Sequence, residues 1–236
     1  MHLFYQANLA LNTIILSEEE SKHCVKVLRL KNGDIIHLAD GNGTHAKAII
    51  TNDNPKRCEL RIQTKEAIPK SGNHNLHIAL APTKNNERIE WFIEKAVEAG
   101  IDEISFIETA NTERSKINLE RCEKIAISAM KQSKQWYLPK INTMIPLNQF
   151  IEKENNGIKL ISWCETLQTD FIAQHILKEK ANQKIIVLIG PEGDFTTTEI
   201  MHATKFGYIP VSLGNTILRT ETAALFVCMS VKTLLT

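Results

Sequence analysis

Cysteine pairs are missing from this sequence. Its five cysteines (Cys24, Cys58, Cys122, Cys164 and Cys228) lie far apart and never as CxxC. That argues against a disulfide framework and against a zinc ribbon, and the five read as reduced core residues of a cytoplasmic protein. Long hydrophobic runs are also missing, since nothing approaches the ~18 consecutive apolar residues of a membrane span. The opening MHLFYQANLALNTIIL has no Lys or Arg ahead of its apolar residues and no small-residue cleavage site, so it does not read as a signal peptide. No charge of one sign dominates: the formal net charge is +1, and any case for a nucleic-acid partner has to be made from local clusters. His37, His45, His77, His175 and His202 show no metal-ligand spacing, which leaves no expectation of a metal. What is present is a 43% hydrophobic chain of 236 residues, long enough for one large domain or two modest ones.

Residues 1–70 and 71–236 carry different patterns, and the boundary between two domains is predicted there. Ser17 followed by Glu18-Glu19-Glu20 predicts an N-capped helix over 18–30, with acids in the first turn and an exit at Lys31-Asn32-Gly33 where glycine takes the left-handed turn. Strands are predicted over 35–39, 46–50 and 58–63, with turns at 40–43 and 52–55, the grammar of a small antiparallel barrel. Asn42-Gly43-Thr44 has the form of a glycosylation sequon but reads as a turn. Residues 65–75, with Pro69, Ser71 and Gly72, read as a linker. From residue 76 strands and helices alternate: strands at 76–81, 103–107, 159–164, 184–189 and 208–213, helices at 85–99, 118–135, 196–206 and 220–235. This predicts a parallel sheet with helices on both faces.

Two stretches carry the candidate chemistry. In KIIVLIGPEGDF (184–195) an apolar strand runs into Gly190-Pro191-Glu192-Gly193, and Thr196 to Glu199 opens a helix as a capping box. Open α/β sheets bind ligands beyond the carboxyl ends of their strands, which makes this loop either a ligand site or a plain turn; it is neither a Walker loop nor GxGxxG. In VSLGNTILRTETAA (211–224) a strand ends at Leu213-Gly214, and Arg219-Thr220-Glu221-Thr222 opens an unusually apolar helix. Thr220 or Thr222 reads as its N-cap, and Arg219 with Glu221 reads either as a salt bridge or as part of a site.

GPEG·F followed by LG··ILRTETA, together with HCVKVLRL (23–30), EKAVEAG (94–100), TERS (112–115), KQS (131–133) and Pro139, resembles the RsmE family of ribosomal RNA methyltransferases in the SPOUT superfamily. The ordered set spans nearly the whole chain. The resemblance implies an α/β protein with an N-terminal PUA-like β-barrel over 1–70 and a C-terminal SPOUT methyltransferase domain over 71–236. That domain would be tied in a deep trefoil knot, which pattern reading by itself would not suggest because knots are rare. It also implies a cytoplasmic homodimer, without metal or membrane, that uses S-adenosylmethionine to methylate N3 of a uridine in the 16S RNA of the small ribosomal subunit. The implied cofactor residues are Ser162, Leu188, Gly190, Pro191, Glu192, Gly193, Leu213, Gly214, Ile217, Leu218 and Thr222, with a third pocket loop at 162–166.

A uracil N3 is protonated at neutral pH, so methyl transfer needs a base or a group that stabilises the anion. Arg219 is the candidate anion stabiliser and Glu221 its orienting partner, with Arg114 as the next catalytic candidate. Lys22, His23, Lys26, Arg29 and Lys31 form a basic tract without acids, suited to RNA phosphate. A second tract over 110–140 (Arg114, Lys116, Arg121, Lys124, Lys131, Lys134, Lys140) is interleaved with Glu113, Glu120 and Glu123; beside it, Trp136 and Tyr137 suit base stacking or internal packing. The sequence departs from the family pattern at Asp194, where a second glycine is common, and at Thr216, where a basic residue is common. Asp194 leaves open a non-catalytic RNA-binding protein of the same fold. An ordinary α/β nucleotide-binding enzyme is disfavoured by the missing phosphate motifs.

Overall fold

Capping chemistry shapes the first helix. Ser17 accepts from the Glu20 N–H, and acids fill the first turn of α1 (Glu18–Lys22). In this computed structural model, which describes residues 1–236 except 71, 73, 115, 154–155, 167–169, 178–182 and 236, the helix then widens into a π-helical turn over His23–Val27. The expected helix to residue 30 therefore stops early, and Arg29 (φ 59°), not Gly33, takes the left-handed exit. Gly33 instead serves the turn into the next strand, donating to the Ile50 carbonyl.

The described residues divide into two compact units, Met1–Lys70 with Met130–Leu138, and Ser71–Ala129 with Pro139–Thr236. The first unit is a five-stranded sheet of β1 (Leu3–Tyr5), β2 (Thr13–Ile15), β3 (Ile35–Ala39), β4 (Thr44–Asn54) and β5 (Arg57–Ala67), in the order β1-β3-β4-β5-β2. All its pairs are antiparallel except β1 with β3. Phe4, Ile14, Ile36, Leu38, Ile50 and Leu60 pack in one core with Cys24 from the π-helical turn, each contributing roughly 1.5–3 kcal/mol by burial. Buried Ser21 ties the helix to β5, donating to Leu16 O and accepting from the Cys58 N–H. Met130–Leu138 joins this unit by specific contacts. The Trp136 ring lies 4.4 Å from His45, the Tyr137 hydroxyl donates to Ile68 O, and Gly43 N donates to Trp136 O. Both aromatic side chains are thus engaged in internal packing.

The second unit holds β6 (His74–Leu80), α2 (Asn86–Ala99), β7 (Glu103–Glu108), β8 (Lys140–Pro146), α4 (Leu147–Lys153), β9 (Ile158–Ser162), α5 (Ile172–Leu177), β10 (Gln183–Ile189), α6 (Thr197–Lys205), β11 (Ile209–Val211) and α7 (Thr220–Leu235). Helix α3 (Leu119–Ser133) runs across the division between the units. The sheet is parallel throughout, ordered β11-β9-β10-β6-β7-β8. Ile186 and Leu188 pack in a cluster with residues of α4 and α6, and strand alternation turns Ile185, Val187 and Ile189, which are also buried, to the opposite face. Helix α2 ends at left-handed Gly100 as expected, while Asn85, expected as its first residue, is its N-cap and accepts from the Glu87 N–H. At α6 the expected capping box of Thr196 and Glu199 is complete. Strand β8 and helices α4 and α5 were not anticipated. The linker is shorter than expected, because β5 reaches Ala67 and β6 starts at His74.

A charged cluster closes the amino ends of the central strands. Glu103 accepts from Asn142 at 2.8 Å and Lys140 at 3.1 Å, and lies 3.4 Å from Lys184 and 3.5 Å from His77. Burial opposes its charge, but His77, Asn142 and the two lysines outweigh that cost and push the carboxyl down to about 2. A depressed carboxylate stabilises the fold above its unfolded value, and that contribution is lost as the pH falls from about 5 to about 2. Glu103→Gln is therefore expected to lower stability by on the order of 2–3 kcal/mol at pH 7, with the gap from the unmodified chain closing near pH 2. Denaturant midpoints measured across that range check this.

Candidate active site

Three neighbouring strands, β11, β9 and β10, end on the same side of the sheet, so the loops that follow them converge. The loop after β9 supplies Ser162, Trp163, Cys164 and Thr166, and the one after β11 supplies Ser212 to Leu218; with Ala223 they line a cavity of about 140 Å³. That is smaller than the roughly 300 Å³ at the lower end of ligand pockets, so a larger ligand would extend over the open rim. Ile217 stands on that rim with 87% of its surface exposed, an apolar side chain left in water beside a cavity. Gly214 (φ 131°) is in the left-handed region, and a Cβ placed on it would meet no protein atom within 4 Å.

The loop after β10 is held rigidly. Asp194 takes a left-handed backbone (φ 58°), and its two carboxylate oxygens accept from Phe195 N (2.8 Å) and Cys164 N (3.0 Å). It thereby staples this loop to the cavity wall. Asn111 donates to Gly193 O and Asp194 O from the far side, and a Cβ on Gly193 would come within 3.1 Å of the Asn111 Cβ. Buried Thr220 donates to Gly190 O at 3.0 Å, so its hydroxyl binds the loop and does not cap α7. Partial desolvation and then Asp194 push the Cys164 thiol up to about 11, so this exposed cysteine is neutral at physiological pH and is not a core residue. Asp194→Ala is expected to cost about 1–2 kcal/mol of stability by unpairing these amides, read as a lowered melting temperature.

A second, more open cavity of about 370 Å³ lies at the amino ends of α2 and α7, lined by Asn85, Glu87, Arg88, Trp91, Arg219, Glu221 and Thr222. Glu221 is 6% exposed, and its Oε2 has no hydrogen-bond partner among the described residues. Its Oε1 lies 3.7 Å from the Arg88 Nε, while Arg88 Nη1 lies 3.6 Å from Glu192 Oε1.

A model of the RNA methyltransferase domain family matches residues 70–232, and one of the RNA methyltransferase PUA domain matches 16–63. Ribosomal RNA small subunit methyltransferase E of Buchnera aphidicola subsp. Acyrthosiphon pisum is 34% identical, the match covering 98% of this chain and 92% of that protein. The chain belongs to the ribosomal RNA small subunit methyltransferase E family. Among solved structures, a probable rRNA-methyltransferase from Porphyromonas gingivalis is similar with TM-score 0.91 and 38% identity, covering 100% of this chain and 98% of that one. The family's Neisseria gonorrhoeae member, bound to S-adenosyl methionine, has TM-score 0.85 and 26% identity over 100% of this chain and 98% of that one.

Against that family, the sequence candidates separate into groups. Ser162, Leu213, Gly214, Ile217 and Leu218 line the smaller cavity, together with Trp163, Cys164 and Thr166 of the expected pocket loop at 162–166, and with Ser212, Asn215, Thr216 and Ala223, which are not among the expected cofactor residues. Gly190, Pro191, Glu192 and Gly193 form the braced loop beside it, and Leu188 is wholly buried in the core cluster. Arg219, Glu221 and Thr222 face the larger cavity. Glu221 pairs with Arg88 and not with Arg219. Arg114 donates to the Thr83 and Lys84 carbonyls, bracing the loop after β6; its neighbour Ser115 lies outside the described residues. Lys22, His23, Lys26, Arg29 and Lys31 are all exposed. The second basic tract is largely neutralised, with Arg121 on Glu90, Lys124 on Glu120, Lys131 on Glu20 and Lys140 on Glu103.

Proposed function

We propose that this chain transfers a methyl group from S-adenosylmethionine to N3 of a uridine in the 16S RNA of the small ribosomal subunit. The observation that carries the reading is whole-length kinship with ribosomal RNA small subunit methyltransferase E, joined to a cavity built at the carboxyl ends of two adjacent parallel strands, β9 and β11, with the loop after β10 braced beside it. The cavity fits the cofactor's chemistry: apolar Leu213, Ile217, Leu218 and Ala223 suit an adenine face, and Ser162 and Thr166 offer hydroxyls. The bound cofactor would supply an electrophilic methyl group.

This chain's residues supply the rest. Leu213 to Leu218 and Ser162 to Thr166 enclose the cofactor, and the Gly190 to Asp194 loop with Leu188 beneath it holds their positions. Arg219, exposed on the larger cavity, donates to the pyrimidine oxygens as negative charge develops on the ring. Glu221 orients the same surface, and Arg114 keeps the loop after β6 in place. The exposed cations at 22–31 bind phosphate, with residues 1–70 acting as the RNA-binding domain and 71–236 as the methyltransferase.

The trefoil knot belongs to this reading. It is supported by the path in which β10 enters between β9 and β6 and β11 then returns beyond β9 before α7 packs on β6 and β10. Phe226 and Met229 of α7, 41% and 49% exposed, support a homodimer built on that helix. Cytoplasmic location accords with a ribosomal substrate, and no helix among the described residues is long and apolar enough to cross a membrane. The non-catalytic reading loses its ground, because Asp194 directs its carboxylate to loop amides. The test is transfer of a labelled methyl group from S-adenosylmethionine to small subunits that lack the modification. Incorporation supports the proposal; its absence with binding-competent protein refutes it.

A further inference from the structure

Glu221 and Glu192 belong to different segments, the first turn of α7 and the braced loop after β10, and one guanidinium reaches both. Arg88, in the first turn of α2, places Nη1 3.6 Å from Glu192 Oε1 and Nε 3.7 Å from Glu221 Oε1. Burying a carboxylate is costly unless a counter-charge lies close to it, and Arg88 is the cation within 4 Å of Glu221 among the described residues. Its Oε2 has no hydrogen-bond partner among the described residues either, so the Arg88 contact is the polar attachment the carboxylate has. Arg219, two residues earlier, is carried on the same turn, with its backbone carbonyl accepting the Ala223 N–H at 2.7 Å.

We propose that Arg88 is a positioning residue, an electrostatic tie that fixes the Arg219–Glu221 turn against the Glu192 loop so that cofactor and pyrimidine meet in register. The tie acts through Glu221. A planar guanidinium suits the task because two of its nitrogens face two carboxylates at once, which a single ammonium cannot do to the same effect. Arg88 also lines the larger cavity, so loss of the tie would be felt on the base-facing side and not within the cofactor cavity.

The inference rests on the methyl-transfer reading, and the unmodified protein tests that reading separately: if it transfers no methyl group, the reading fails before Arg88 is examined. With turnover established, Arg88→Met is expected to lower kcat about tenfold or more, a coupling of ordinary size for contacting charges, with the Kd for S-adenosylmethionine within about threefold. Arg88→Lys recovers part of the loss. The deciding measurement is the double variant. On a Glu221→Gln background, Arg88→Met should cost little further kcat, because the group it acts through has lost its charge. A full, independent loss on that background overturns the proposal, as does an unchanged kcat in Arg88→Met alone. If Arg88→Met does not fold, the comparison of Arg88→Lys alone and with Glu221→Gln decides in the same way.

Discussion

Replacing Gly214 with valine is expected to raise the Kd for S-adenosylmethionine by about 100-fold or more, equivalent to about 2.7 kcal/mol, while the chain still folds. Gly214 lies at φ 131° on the wall of the smaller cavity. A β-branched residue resists that backbone region at a cost of order 1–3 kcal/mol; to relieve it the loop must shift, and Ser212 loses its paired contacts with Gly214 N and O. The added side chain also meets no protein atom that would hold it away from the cavity. Gly207→Val is the matched control. It too has a positive φ (86°) and open space around its Cβ, but it follows α6 and lines neither cavity. Calorimetry should find binding lost in the first variant and kept in the second; equal binding in both would contradict the assignment of the cavity.

Arg219→Ala should behave in the opposite way, with cofactor affinity unchanged and kcat reduced by about 100- to 1000-fold, the usual cost of removing a donor aimed at developing negative charge. Arg219 faces the larger cavity and not the smaller one, which is why binding and turnover separate. Lysine at this position should restore little, because a point charge cannot donate in parallel to two neighbouring oxygens. Single-turnover kinetics at saturating cofactor measure the chemical step, and a wild-type rate in the alanine variant would remove Arg219 from the site.

Gly214 and Arg219 lie in one loop, between β11 and α7, which was legible as a loop because a strand-like run precedes it and an unusually apolar helix follows it; the roles proposed for them come from the resemblance. The Gly100 stop and the Thr196–Glu199 box were legible because their chemistry is local. Strand β8 was not: it is an edge strand with no fully buried position, so burial imposed no pattern on Lys140–Pro146. The three-residue strands β1 and β2 are too short to carry a period. The π-helical turn leaves no mark in HCVKVLRL, because one extra residue in a turn alters geometry and not composition. In the site, Trp163 and Thr166 fall in the pocket loop at 162–166 that the resemblance implied. Arg88 was not legible: an arginine in the first turn of an amphipathic helix looks like any solvated cation until the fold brings Glu192 and Glu221 to it. The second basic tract shows the converse, a run of cations that the fold pairs with Glu20, Glu90, Glu103 and Glu120.

The central claim is that the methyl group goes to N3 of a uracil in small-subunit RNA. Small subunits lacking the modification, incubated with the protein and isotopically labelled S-adenosylmethionine, can be digested to nucleosides and separated by chromatography with mass detection. The account expects the label in 3-methyluridine and in no other nucleoside, and expects its rate of incorporation to fall by about 100- to 1000-fold with Arg219→Ala. Label in a 2′-O-methylated or a carbon-methylated nucleoside would contradict it.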